Sequence, residues 1–154
     1  MKGNSQVVQH LNTLLANEQS AYNQYLLNSQ LLKNWGINKM AATEREESME
    51  EIGHAEILIE RILYLAGTPK MEGGEAAQVC QDVKEIVERD LKLEVKGIAD
   101  LREGISACER ATDWVSRELM VKILTDEEHH EDHLITQLEL IEKIGIENYI
   151  TSQL

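Results

Sequence analysis

Pro69 is the only proline in a chain of 154 residues. The stretch around it, AGTPKMEGGEAAQVCQ, is where a pattern of apolar residues spaced three and four apart breaks for longest. Proline lacks the N–H that a helix interior needs, and glycine is weakly helical. A chain whose breakers gather in one central stretch can therefore carry long helices on both sides of it. Abundant Leu, Glu, Ala and Lys, with no phenylalanine, favour helix throughout. A shorter break divides each half: Gly36 is a C′-type stop, and TDW follows Ala111. The spacing predicts helices over about 5–35, 39–65, 82–111 and 113–144, with a short tail helix over 146–152. Asn4 and Ser5, Asn38, Asp82 with Glu85, and Thr112 or Asp113 are the candidate caps.

Helices of this length extend about 40 Å each. The short first and third links make antiparallel neighbours, and the central connection spans roughly 50 Å when extended. That is enough to cross a bundle from end to end. No uniform heptad with flanking charges appears, so an extended coiled coil is disfavoured. The expectation is an all-α single domain over 1–154, a four-helix bundle with one long crossover and a short fifth helix.

Polar residues occupy apolar register. In the first helix the inward stripe runs Val7, Leu11, Leu14, Glu18, Ala21 or Tyr22, and Tyr25. In the second it runs back from Leu65 through Ile62, Leu58 and Ala55 or His54 to Glu51. The third passes from Val83 and Val87 through Asp90 to Glu94, then Ile98, Leu101 and Ile105. The fourth has Ile123, Glu127, His130, Leu134, Leu138 and Ile141. Glutamate is common enough here for chance to supply a Glu-x-x-His pair, so neither pair means much alone. Chance does not supply both in core register on different helices, with a core glutamate on each of the other two. Four buried carboxylates at one level are untenable without a cation. Four glutamates and two histidines suit a pair of divalent first-row ions, iron or manganese.

The formal charge of −13 argues against a nucleic-acid binder, which needs a basic face. Cys80 and Cys108 form no disulfide framework. The N-terminus lacks a secretory h-region, and no apolar run is long enough for a membrane span, so a cytoplasmic protein is expected.

The segments LNTLLANEQSAYNQY, NWG, ERILYLAGTP, DLKLE, DWVSRELM, LTDEEHHEDHL and IGIENYI resemble those of a bacterioferritin in order and spacing, along essentially the whole chain. The resemblance implies a ferritin-like di-iron fold and an iron-storage ferroxidase. It would oxidise Fe2+ with oxygen or peroxide in a shell of 24 subunits, and a ferredoxin-type reductant would release the iron. Carried over, Glu18 and Glu94 are the terminal carboxylates, Glu51 and Glu127 bridge the irons, and His54 and His130 each bind one. Tyr25 corresponds to a tyrosine near the centre, against the plainer reading of an ordinary core residue.

The chain also departs from the family. Histidine 133 stands where a tryptophan is usual. Glu46 stands where some members have a histidine, and with Glu50 it offers a secondary cation site, the plainer reading being two solvated glutamates. His129 and His133 permit a surface metal site, again against a solvated face, and His10 reads as structural or exposed. Haem in such proteins is held between two subunits by a methionine at the position of Ile52, which has no lone pair. Haem b is therefore not expected in that manner. Met49, three residues earlier, is an alternative ligand weighed against a packing role, and a second subunit type in a mixed shell is another source. Alternatives to a storage ferroxidase are a mainly structural subunit of such a shell, or a non-storage di-metal carboxylate enzyme. The apolar tail helix, which has no use in a lone bundle, favours a cage.

Overall fold

The computed structural model describes residues 2–154. Its helices are α1 (Ser5–Asn34), α2 (Asn38–Tyr64), α3 (Val83–Arg110), α4 (Trp114–Ile144) and α5 (Ile146–Ser152), and no strand occurs among the described residues. α1 packs chiefly on α2 and α3 on α4, and the two hairpins meet mainly through α1 and α3. This is the expected four-helix bundle with one crossover.

The helix ends follow their caps, with one exception. Asn4, not Ser5, caps α1, accepting from the Gln6 and Val7 amides, and Gly36 follows its C-terminus at φ +80°. Asp82 accepts from the Glu85 amide while the Glu85 carboxylate accepts from Gln81. Asp113 caps α4 through Ser116, while Thr112 takes a left-handed φ of 54°. The exception is Asn38, which begins α2 but caps nothing. The Lys39 and Met40 amides instead donate to the Gln153 carbonyl at 3.0 and 3.3 Å. Gln153, just beyond α5, thus satisfies two of the orphan donors of α2.

That contact corrects the expectation that a tail helix is idle in a lone bundle. Tyr149 is buried against Leu32, Ile37, Met40, Leu134 and Ile141, and its hydroxyl donates to Gln137 at 2.8 Å. α5 is a working part of the single subunit, so its apolar character does not by itself favour a cage.

The crossover, residues 65–82, runs along α1 and is tethered by polar side chains of that helix. Asn12 donates to the Thr68 carbonyl and accepts from the Lys70 amide. Gln19 donates to the Lys70 carbonyl, Ser20 accepts from the Glu75 amide, and Gln24 pairs twice with the Gln78 backbone. Gly74, at φ +93°, has no room for a Cβ, which would fall 2.6 Å from the Ala16 carbonyl oxygen.

The apolar core comes in two parts. One end holds Val7, Leu11, Leu58, Ile62, Leu101, Met120 and Ile123. The other holds Leu32, Met40, Val83, Ile86, Val87, Leu134 and Ile141. Between them lies a layer of buried polar residues.

Candidate metal centre

The polar layer takes one or two residues from the middle of each long helix. α1 supplies Glu18 and, two turns on, Tyr25; α2 supplies Glu51 and His54; α3 supplies Glu94; α4 supplies Glu127 and His130. A three-residue step places the glutamate and histidine of α2 and of α4 on one face. All six ligand candidates are between 1% and 7% exposed.

They form two groups that share two members. His54 Nδ1 lies 3.0 Å from Glu127 Oε1, 3.6 Å from Glu18 Oε2 and 3.7 Å from Glu51 Oε1. His130 Nδ1 lies 3.3 Å from Glu51 Oε1, 3.5 Å from Glu94 Oε1 and 3.8 Å from Glu127 Oε2. Glu18, Glu51, His54 and Glu127 bring one donor atom each within 4.8 Å of one another, as do Glu51, Glu94, Glu127 and His130. Glu51 and Glu127 belong to both. Two overlapping donor sets that share two carboxylates, each with a further carboxylate and an imidazole of its own, could hold two cations side by side.

The donors aimed into this space have no other partner. Glu18 Oε2, Glu51 Oε1, Glu94 Oε2, Glu127 Oε1, His54 Nδ1 and His130 Nδ1 are all buried without a hydrogen bond. Among the described residues no lysine or arginine pairs with them. Without a cation, protons must supply the missing positive charge. Burial, then the Glu127 charge, raises Glu18 well above the usual carboxylate range, and burial with Glu18 does the same to Glu51. Burial followed by Glu127 lifts Glu94 to about 8. Burial alone would lower His54, but Glu127, Glu51 and Asp126 outweigh it and raise it to about 9. His130 is raised by Glu127, Glu51 and Glu94, again against burial. A pair of divalent cations can displace these protons, and oxygen with imidazole donors suits iron or manganese.

The outer nitrogen of each ring is held from the opposite helix. His54 Nε2 on α2 meets Asp126 Oδ2 on α4 at 2.8 Å, and His130 Nε2 on α4 meets Glu50 Oε2 on α2 at 2.9 Å. Each outer carboxylate directs its ring's Nδ1 inward. Asp126 went unrecognised at the sequence level, although a signal exists: Glu50-Glu51-x-x-His54 and Asp126-Glu127-x-x-His130 share the form acid-Glu-x-x-His. Asp126→Asn and Glu50→Gln are each expected to weaken divalent-metal binding by about 10- to 100-fold. Anaerobic Co2+ titration checks this, and unchanged affinity would mean these groups do not orient the rings.

Tyr25 is fully buried and its hydroxyl donates to Glu94. The other candidates lie elsewhere. Glu50 is taken up by His130 and also stands near His54 and Asp126, while exposed Glu46 joins no cluster of potential metal donors among the described residues. Glu46 therefore reads as a solvated glutamate. His129 and His133 are exposed, with Gln137 Nε2 3.4 Å from His133 Nδ1, and neither joins such a cluster. Met49 is 56% exposed and Ile52 half-buried. His10 is half-buried, and both cysteines are buried and free. No helix is long and apolar enough to cross a membrane among the described residues.

The pattern of the Ferritin-like domain family matches residues 8–144. Among curated proteins, the chain is 44% identical to a bacterioferritin of Brucella melitensis, over 97% of this chain and 92% of that protein. It is 45% identical to a bacterial ferritin of Neisseria meningitidis, over the whole of both chains. A bacterial ferritin of Synechocystis is 41% identical, over 100% of this chain and 99% of that one.

Proposed function

Because this chain belongs to the ferritin-like family, as a protein of the bacterioferritin type, we propose that Glu18, Glu51, His54, Glu94, Glu127 and His130 form its di-iron ferroxidase centre. The protein stores iron and oxidises Fe2+ to Fe3+. One observation carries the residue assignment: two sets of buried, unpartnered donors that share Glu51 and Glu127.

In this reading Fe2+ is the substrate, and two ions take the place of the protons held among the carboxylates. The two bridging glutamates keep the ions close enough to give up one electron each in a single event. Dioxygen with two electrons and two protons becomes hydrogen peroxide; peroxide with two of each becomes two waters. His54 and His130, fixed by Asp126 and Glu50, keep their inner nitrogens on the ions. Tyr25 donates a hydrogen bond to Glu94 and so sets which of its oxygens remains free.

The proposal extends to a cytoplasmic shell of 24 subunits, with a ferredoxin-class reductant releasing the stored iron. The family supports assembly, and exposed Leu26, Met49, Leu63, Trp114 and Val115 are available to contacts between subunits. With Ile52 at the family's haem position, haem b is not held there in the usual way. Gel filtration tests the shell, and elution as a monomer or dimer at working concentration overturns it. A Soret band from protein made in haem-sufficient cells would restore haem and direct attention to Met49 or a second subunit type.

A further inference from the structure

Four buried polar residues lie beside the metal centre and play no part in it. Asp90 on α3 is 0% exposed and Glu44 on α2 is 4% exposed. Asn28 of α1 sits between them, donating through Nδ2 to Asp90 Oδ1 at 2.8 Å and to Glu44 Oε2 at 3.3 Å. Its carbonyl oxygen is occupied by Gln24 at 2.9 Å. The one Asn28 amide group thus bridges the two carboxyl groups, and burial with the Glu44 charge raises the affinity of Asp90 for a proton. Asp90 Oδ2 is buried without a hydrogen-bond partner. No lysine or arginine forms an ion pair with either among the described residues, so a single shared proton is the only source of neutralisation in the pair itself.

The pair has the metal centre on one side and an opening on the other. Asp90 is one helical turn from Glu94 on α3, and Asn28 is three residues from Tyr25, whose hydroxyl donates to Glu94. Glu44 also lines a cavity of about 200 Å³ with Glu47, Thr43, His133 and Tyr149, large enough for several waters. One carboxyl of the pair thus lies toward the ligands and the other at the cavity wall.

We propose that Glu44 and Asp90 hold one proton between them and carry protons from the iron centre to this cavity, from which they leave. The inference rests on the assignment of the centre given above. The reaction supplies the protons. Two Fe2+ lose one electron each to dioxygen or peroxide, and hydrolysis of the ferric product to FeOOH leaves two protons for every iron deposited. A centre walled by apolar clusters above and below needs an outlet for them.

The surroundings are consistent with a group that exchanges protons near neutrality. Burial lifts Glu44 to about 7, opposed by the neighbouring Asp90 carboxyl and the Asn28 hydrogen bond and helped by the Glu47 charge. Burial and the Glu44 charge push Asp90 well above the ordinary carboxylate range. Glu47, half-buried at the cavity, is raised by burial to about 7 as well, with His130 opposing. The other titratable groups facing the pair are Tyr25 from α1, Glu94 from α3, His133 from α4 and Tyr149 from α5, with Lys39 at the cavity mouth.

Asp90→Asn and Glu44→Gln keep size and hydrogen bonding but cannot share a proton in this way. Neither is a metal ligand, so anaerobic Co2+ titration reads the centre while stopped-flow oxidation in weak buffer with an indicator dye reads proton release. The expected result is unchanged Co2+ capacity, ferroxidation slowed about tenfold or more, and proton release that lags behind iron oxidation. A small diffusible weak acid or base such as imidazole should restore part of the rate. Proton release in step with wild-type oxidation overturns the proposal. So does a slowed reaction whose loss matches a loss of Co2+ capacity, since the pair then only supports the ligands. Absence of Co2+ binding in the unmodified protein would instead strike the centre's assignment.

Discussion

His130→Ala is expected to slow Fe2+ oxidation by about a hundredfold or more, because losing a direct donor should exceed the 10- to 100-fold cost of losing an outer one. The histidine supplies the only nitrogen in its group, facing Glu51, Glu94 and Glu127 at 3.3 to 3.8 Å. Without it, three carboxylates converge on one ion with no neutral donor to complete the set. Glu94→Ala should act at the same ion and give a loss of similar size, and it would also strip Tyr25 of its acceptor. The two losses together should be far less than multiplicative, since either removes the same ion. Stopped-flow absorbance of ferric product under air checks both variants. A wild-type rate in either would mean that oxidation happens elsewhere on the protein.

The metal-free protein is expected to lose stability as pH rises from about 5 to about 9, and bound divalent cation should cancel most of the loss. Burial lifts Glu94 to about 8 and Glu44 and Glu47 to about 7, so each binds its proton more tightly folded than unfolded. Their stabilising contribution is complete below the ordinary carboxylate range and disappears as pH climbs through 7 to 8. His54, raised to about 9 by its carboxylates against burial, contributes in the same direction, fully below about 6.5 and not above 9. Asp100 and Asp113, lowered by Lys96 and Asn17 and by Ser116 and Arg61 respectively against burial, oppose this only at acid pH. A net loss of about 3 kcal/mol corresponds to a fall in melting temperature of roughly 10 °C for a chain of this size. Calorimetry across pH, with chelator and with Co2+, measures it. A melting temperature that rises through this range without metal would contradict the buried, proton-neutralised cluster.

Much of this site could be read from the chain because its ligands obey helical register. Glu18, Glu51, Glu94 and Glu127 each stand where Leu or Ile would continue an apolar stripe, and a period of 3.6 turns such a substitution into a direction in space. The two Glu-x-x-His steps needed only the geometry of one helix turn. What was not legible depended on pairing between helices. Asp126 and Glu50 look like ordinary surface acids until α2 and α4 are set side by side and each is found against the other's histidine. Glu44, Asn28 and Asp90 come from three helices, and no spacing along any one of them announces a contact. Asn38 shows the reverse error: its residue type is right for a cap, yet the amides there are satisfied by a carbonyl more than a hundred positions away. The tail helix was misjudged for the same reason, since its use depends on a partner surface that only the folded bundle presents.

The Gln153 carbonyl on the amides of Lys39 and Met40 has a consequence for how the chain is made. Synthesis runs from the N-terminus, so α2, with Glu51 and His54, is complete while α3 and α4 are still missing. Its first turn stays unsealed until α5 and Gln153 have been made and folded back onto it. Residues 146–153 thus act as a latch on α2, and whatever removes them leaves two amides of α2 without their acceptor and the seat of Tyr149 open.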